Sequence, residues 1–310
     1  MEILTKTICV NLDVHIWQGR RSLKAADFES IGLPPEELAS LGSKKVADPN
    51  DLKIFSTLKR KAERICSKKS VRFLKGYATS LDVATDLEKQ LTSIQLEFEQ
   101  AKLDFLSQYD QKVSDWVNQF PEWKDKLERS LVPKNIVEGR FAFDFQMYQI
   151  KPSEGSVVGL DKVASGLGAQ LFREIAKDAN ELYERSIMGQ DKVSRKVVTG
   201  SINNLLLKLD TLEYMNPKCR PLIDKVNTLL SGLPASGSIE GIHLIAVSSV
   251  VDLLSDEEKM MQVIPTQNVA SGRLQFQSKQ KDAFQETVIQ PVVQAKPALR
   301  LNLNLSRSVA

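Results

Sequence analysis

The stretch that most constrains this chain is residues 81–120. Apolar residues stand at Ala84, Leu87, Leu91, Ile94, Phe98, Ala101 and Phe105, in steps of three and four that lay one seam along a helix. After Phe105 the steps become four and four, to Tyr109 and Val113, then return to three and four at Trp116 and Phe120, which reads as a four-residue stutter. A helix over that span is roughly 55–60 Å long, well beyond the helices of an ordinary domain. It cannot be stable alone in water, so the chain must supply a partner along its length. Residues 156–188, ending at Gly189, offer one, with a stripe of Leu160, Val163 or Ala164, Leu167, Leu171, Ile175, Ala179 and Leu182. Gly159, Gly166, Gly168, Ala169 and Ala176 keep that helix thin, so folding it back antiparallel would set small residues against Phe105, Tyr109 and Trp116. The expectation is a long antiparallel coiled-coil-like helical arm, paired within one chain or shared between two.

Two segments alternate with period two. In residues 7–17, Ile8, Val10, Leu12, Val14 and Ile16 alternate with Cys9, Asn11, Asp13 and His15; in residues 141–150, Phe141, Phe143, Phe145 and Met147 alternate with polar or small neighbours. A lone strand leaves its backbone groups unpaired, so the two are expected to pair as a small β-ribbon. Short helices are expected over residues 22–28 and after Pro34 and Pro35. Asp48 and Pro49 read as cap and first position of a helix reaching Ser67, with Phe55, Leu58, Ala62 and Ile65 inward. Residues 70–79 read as a joint before the long helix, which Ser80 can cap; Pro121 ends or kinks that helix. Beyond residue 190 come helices over 191–214, burying Val198, Ile202, Leu205, Leu206 and Leu209, then over 221–230 and 238–254. A capping box at Ser255 and Glu258 opens a last short one.

The organisation expected is residues 1–80 as a strand and basic helical region, 81–189 as the arm interrupted by strand 140–151, 190–265 as a C-terminal helical bundle, and 266–310 as a disordered tail. Within the tail, residues 301–305 alternate leucine and asparagine and could add as a strand to another protein. The fold class expected is mainly α with a small β-ribbon.

Net charge is only +3, so its distribution matters more than its total. Residues 59–75 carry Lys59, Arg60, Lys61, Arg64, Lys68, Lys69, Arg72 and Lys75 against Glu63 alone, while residues 81–131 carry eleven acids and six bases. The basic run could hold phosphates, with Phe73 and Tyr77 for stacking, or simply complement the acidic helix beside it. Cys9, Cys66 and Cys219 are odd in number and far apart, so neither a disulfide framework nor a zinc site is suggested and a reducing cytoplasm fits. His15 and His243 stand in no metal-binding or nucleophile–base pattern, the Gly166–Leu167–Gly168 run lacks the preceding strand of a dinucleotide fingerprint, and no phosphate-binding loop is present. Catalytic residues, cofactor and metal are therefore expected to be absent. There is no signal-peptide pattern and no run long enough to cross a bilayer.

Residues 11–28, NLDVHIWQGRRSLKAADF, lead a strand into Trp17, Gly19, Arg20 and Arg21, and residues 72–78 read RFLKGYA. Together with the long helix, these resemble an uncharacterised domain-of-unknown-function family of bacteria, phages and integrative conjugative elements. The resemblance covers roughly the first two-thirds of the chain. Such proteins are often encoded near CobS-like MoxR-type AAA+ ATPases and von Willebrand factor A proteins, which implies an accessory or adaptor beside a remodelling ATPase. On the residues, Gly19 permits a sharp exit, and Arg20 and Arg21 project from a turn where a carboxylate or phosphate can be gripped. The first functional expectation is a non-enzymatic adaptor using Trp17, Gly19, Arg20 and Arg21. The second is a nucleic-acid-binding accessory in replication or recombination using the 59–75 stretch.

Overall fold

The structure is a computed structural model that describes residues 2–23, 42–151, 159–234 and 236–264. A short helix α1 (Glu2–Thr5) leads into β1 (Thr7–His15), after which β2 (Arg20–Ser22) and β3 (Ser43–Lys45) form a small ribbon. Next come α2 (Lys53–Lys69), a hairpin of β4 (Ser70–Phe73) and β5 (Gly76–Ser80), then α3 (Leu81–Ser107) and α4 (Tyr109–Asn118). A 3₁₀ turn (Pro121–Trp123) separates α4 from α5 (Lys124–Glu128), and α6 (Lys134–Glu138) precedes β6 (Ala142–Tyr148). The remaining elements are α7 (Leu160–Ser165), α8 (Leu167–Ser186), β7 (Lys192–Ser194), α9 (Arg195–Thr211), α10 (Cys219–Leu230), β8 (Ser238–Glu240), α11 (Ile242–Leu254) and α12 (Glu257–Met261).

The two strands read from the alternating pattern do pair. β1 lies antiparallel to β6, with Leu12 opposite Phe145 and Val14 opposite Phe143. They are only half of the sheet. β5 pairs antiparallel with the other edge of β1 and β4 with β5, giving a four-stranded antiparallel sheet in the order β4-β5-β1-β6. The described residues are 62% helical with this sheet and two small ribbons, so the fold is mixed α/β and not mainly α with one ribbon. The hairpin escaped the reading because Arg72, Lys75 and Gly76 make residues 70–79 look like a charged joint. In fact Val71, Phe73 and Ala78 are buried on one face and Tyr77 on the other. Gly76 is required there, since a Cβ would stand 2.3 Å from the Val10 carbonyl oxygen.

The helical arm is likewise corrected. The 81–120 helix breaks at Gln108, where the change of spacing after Phe105 had read as a stutter. Ser80 caps α3 as expected, its hydroxyl accepting from the Asp82 amide. The seam of α3 packs on α2 and on the sheet, while α8 packs with α9 and α11 beneath the opposite face. The large-against-small matching fails because each stripe finds a different partner. Phe55, Phe98, Phe105 and Phe141 interlock with one another at centroid separations of 4.4–6.4 Å. Gly168 lets α8 approach the backbone after α9, a Cβ there falling 2.5 Å from the Met215 carbonyl oxygen. The expected coiled-coil arm is thus replaced by two helical layers, each packed against its own face of one sheet.

The expected burial of α9 at Val198, Ile202, Leu205, Leu206 and Leu209 is observed, and α2 buries Phe55, Leu58 and Ala62 with Cys66, leaving Ile65 partly covered. The helix expected over 238–254 divides into β8 and α11 at Gly241, and the α12 cap is Asp256, whose carboxylate accepts from the amides of Glu258 and Lys259. The short helix after Pro34, most of the one over 22–28, and the 266–310 tail lie outside the described residues.

Candidate functional site

Beyond β1 the chain turns inward. Trp17 is 3% exposed and packs edge-on to Tyr109 at 5.9 Å and tilted against Phe105 at 6.3 Å. Its indole N–H finds no hydrogen-bond partner among the described residues. Gly19 follows with φ +62, close enough to the core that a Cβ would meet the Leu52 Cδ1 at 2.9 Å. Its carbonyl accepts from the Val46 amide at 2.8 Å, and this bond closes the base of the β2–β3 ribbon. Trp17 and Gly19 are therefore scaffold, and Arg20 and Arg21 are the exposed members of the predicted group.

The ribbon sets cations against cations. Arg20 stands opposite Lys45 and Arg21 opposite Lys44, and β2 and β3 contain no acid. Like charges directly opposite across an antiparallel pair are destabilising. Beside the ribbon lies the end of α4. The Trp116 indole N–H donates to the Lys45 carbonyl at 3.3 Å, and its ring meets Phe120 in a T-shaped contact at 5.0 Å. Pro121 then bends the chain, so that Trp123 comes up beside them with the Lys126 ammonium 5.0 Å over its ring. These three aromatics, Leu23, Leu127 and the stems of Lys44, Lys45 and Lys126 line a groove of about 240 Å³. Phe120 is 40% and Trp123 47% exposed.

Sequence reading missed this surface because it placed Trp116 and Phe120 on the apolar seam and did not weigh Lys44, Lys45 or Trp123. The visible signal is the repeat of a basic dipeptide, Arg20–Arg21 and Lys44–Lys45, with an aromatic on each side of Pro121.

The basic stretch of α2 is partly engaged within the molecule. Lys61 bridges Glu97 and Lys69 bridges Asp86, both at 2.7 Å, so the acidic α3 does meet the basic α2 in one chain. The Lys69 hydrogen bond, with a second from Gln90, holds the Asp86 carboxyl below the usual carboxylate range. Arg60 Nε donates to the Ser56 carbonyl at 3.2 Å, Lys59 is half-buried, and the Arg72 guanidinium lies 4.2 Å over the Tyr77 ring. Arg64 and Lys68 line a cavity of about 330 Å³ with Asp178, Glu181, Arg185 and Lys208. At the cavity's floor Lys208 is 3% exposed and pairs with Glu174 at 2.7 Å. The other oxygen of Glu174 accepts from the Arg72 amide at 2.7 Å, which caps the free edge of β4.

Nucleophile chemistry finds little support in the thiols. Cys9, Cys66 and Cys219 are free and buried, and burial pushes them up to about 11, 12 and 12 respectively. Each is a poor thiolate at neutral pH. His15 is exposed, with Nε2 2.9 Å from Asp13, and His243 is half-buried on α11. Among the described residues no group of three or more His, Cys, Asp and Glu is placed to hold a metal ion, and no helix is long and apolar enough to cross a membrane.

Fold and surface together define a mixed α/β scaffold with helices on both faces of a single sheet. The profile of a family of proteins of unknown function, DUF3150, matches residues 4–256, and the chain belongs to that family. No curated protein and no solved structure matches it.

Proposed function

We propose that this protein is a non-enzymatic adaptor that binds its partner through the aromatic and cationic surface between the β2–β3 ribbon and α4–α5. The observation that carries the reading is the exposure of Phe120 and Trp123 beside a ribbon whose cations face one another. Exposed aromatics next to cations are enriched where proteins meet partners. The resemblance of residues 11–28 and 72–78 implies, through the genes often encoded beside that family, that the partner is a MoxR-type AAA+ ATPase, acting with a von Willebrand factor A protein on a mobile genetic element or phage. Three free, buried thiols fit a reducing cytoplasm. The test is a tagged pull-down from the native host, with nuclease and with ATP or ADP, read by mass spectrometry. Nucleotide-dependent, nuclease-insensitive recovery of an AAA+ ATPase is the expected result. Failure to recover one in either nucleotide state removes the ATPase from the reading.

One observation favours a second reading, a nucleic-acid-binding accessory. Arg60, Arg64 and Lys68 remain exposed on α2 after Lys61 and Lys69 have met their acids. Replacing those three by glutamine should then flatten the salt dependence of DNA binding, and unchanged affinity and slope would end this reading.

A further inference from the structure

We infer that the groove beside the β2–β3 ribbon docks a short acidic segment of a partner protein, anchored by one large apolar side chain. The inference takes the existence of a protein partner from the adaptor reading and adds the chemistry by which that partner is recognised. Three features carry it. The groove, about 240 Å³, is walled by Trp116, Phe120, Trp123 and Leu127, a size and lining suited to one leucine or phenylalanine side chain. Its rim is cationic, with Arg20, Arg21, Lys44 and Lys45 on a ribbon that has no acid of its own. Arg20 and Arg21 are both exposed, so their guanidinium groups are open to carboxylates laid along the ribbon.

The same rim could attract a nucleic acid, but the wall fits one less well. A base placed in the groove still needs partners for its polar edge, and the Trp116 indole N–H is already given to the Lys45 carbonyl. An apolar side chain makes no such demand. Arg20 and Arg21 also present planar forks that match carboxylates in pairs.

The experiment uses the full-length chain and a labelled synthetic peptide, a central phenylalanine flanked by aspartate and glutamate, read by fluorescence anisotropy over a salt series. Control probes carry serine for the phenylalanine or lysine for the acids, and oligo(dT) stands for nucleic acid. Expected is saturable binding of the acidic phenylalanine peptide, weakened about tenfold or more by the serine exchange or by Trp123→Ser. Arg20→Gln with Arg21→Gln should flatten the salt dependence. Trp123 is exposed, so an unchanged melting temperature is expected for its variant. Equal binding of the serine or lysine peptide overturns the inference, as does oligo(dT) that binds more tightly and is lost with Trp123→Ser. So does peptide binding that appears only when residues 24–41, which leave at Leu23 and return at Gly42, are replaced by a Gly-Ser linker. Peptide binding without any ATPase in the pull-down supports the groove and removes only the ATPase; an ATPase recovered equally by Trp123→Ser and wild type keeps the adaptor and overturns the groove.

Discussion

On one face of the sheet, Val10 and Tyr77 meet interlocked rings, Phe55, Phe98, Phe105, Phe141 and Phe143; on the other, Cys9, Val71, Phe73 and Ala78 meet mostly leucine, isoleucine and valine, with Phe172, from α8 to α11. Rings prefer particular offsets and tilts, so the aromatic layer carries its own directions. The aliphatic layer also holds an ion pair that is more deeply buried than those joining α2 to α3. The Lys208–Glu174 pair, joined to the Arg72 amide, fixes α9, α8 and β4 to one another through charge and hydrogen bonds. A core of branched chains gains its register from a buried polar lock, whereas a core of rings gains it from shape.

That contrast can be broken or sharpened by measurement. The largest effect expected is for Phe98→Ala, which should lose about 3–5 kcal/mol in chemical denaturation because the rings around Phe98 cannot collapse into the space. Ile175→Val in the aliphatic layer should lose only about 0.5–1.5 kcal/mol. Similar losses from both would erase the distinction. Next comes Lys208→Met, which leaves Glu174 without its cation and should cost about 3 kcal/mol. If the pair sets register, this variant should also lose dispersion in the methyl NMR spectrum of α8 and α9; a sharp native spectrum would deny the lock that role.

The last effect is absent at neutral pH and lies in the thiols. Burial raises each thiol in the folded protein above its unfolded value, so the folded state holds these protons more tightly. Their contribution to stability is complete below the unfolded pKa, about 8.5, and is lost as pH rises toward the folded values of about 11 to 12. Serine at all three positions should remove the thiols' share of the alkaline decline, leaving that of the buried Tyr77, Tyr109 and Tyr214 hydroxyls, which burial also raises. Under native labelling, Cys66 in the aromatic layer should react more slowly than Cys219 in the aliphatic one, and the reverse order would place the looser packing among the rings.

Much of the secondary structure was legible in local pattern. Alternation located β1 and β6 and their pairing, and the α9 stripe was read residue by residue. The fold class was not, because it turns on which stripe meets which. The seam from Leu87 to Val113 is real, but periodicity names no partner, and α2 with the sheet claimed it before α8 could. The β4–β5 hairpin hid for a different reason. Its strands are four and five residues long, and Arg72, Lys75 and Gly76 dilute the alternation. At the candidate site, Arg20 and Arg21 were legible as projecting cations, but Lys44 and Lys45 come beside them only through the ribbon. Trp17, chosen for the same surface, went inside because its ring fits between Phe105 and Tyr109.

The position of β1 at the centre of the sheet has a consequence for synthesis. At about 5–20 residues per second, Tyr148 leaves the ribosome roughly 7–30 s after His15, so β1 exists for that interval without β6. The β4–β5 hairpin arrives far sooner and pairs with Thr7 to Val10, while Asn11 to His15 can be matched only by β6. For several seconds on each nascent chain, the second half of β1 is an open edge, and this is the segment that a holding chaperone would be expected to cover.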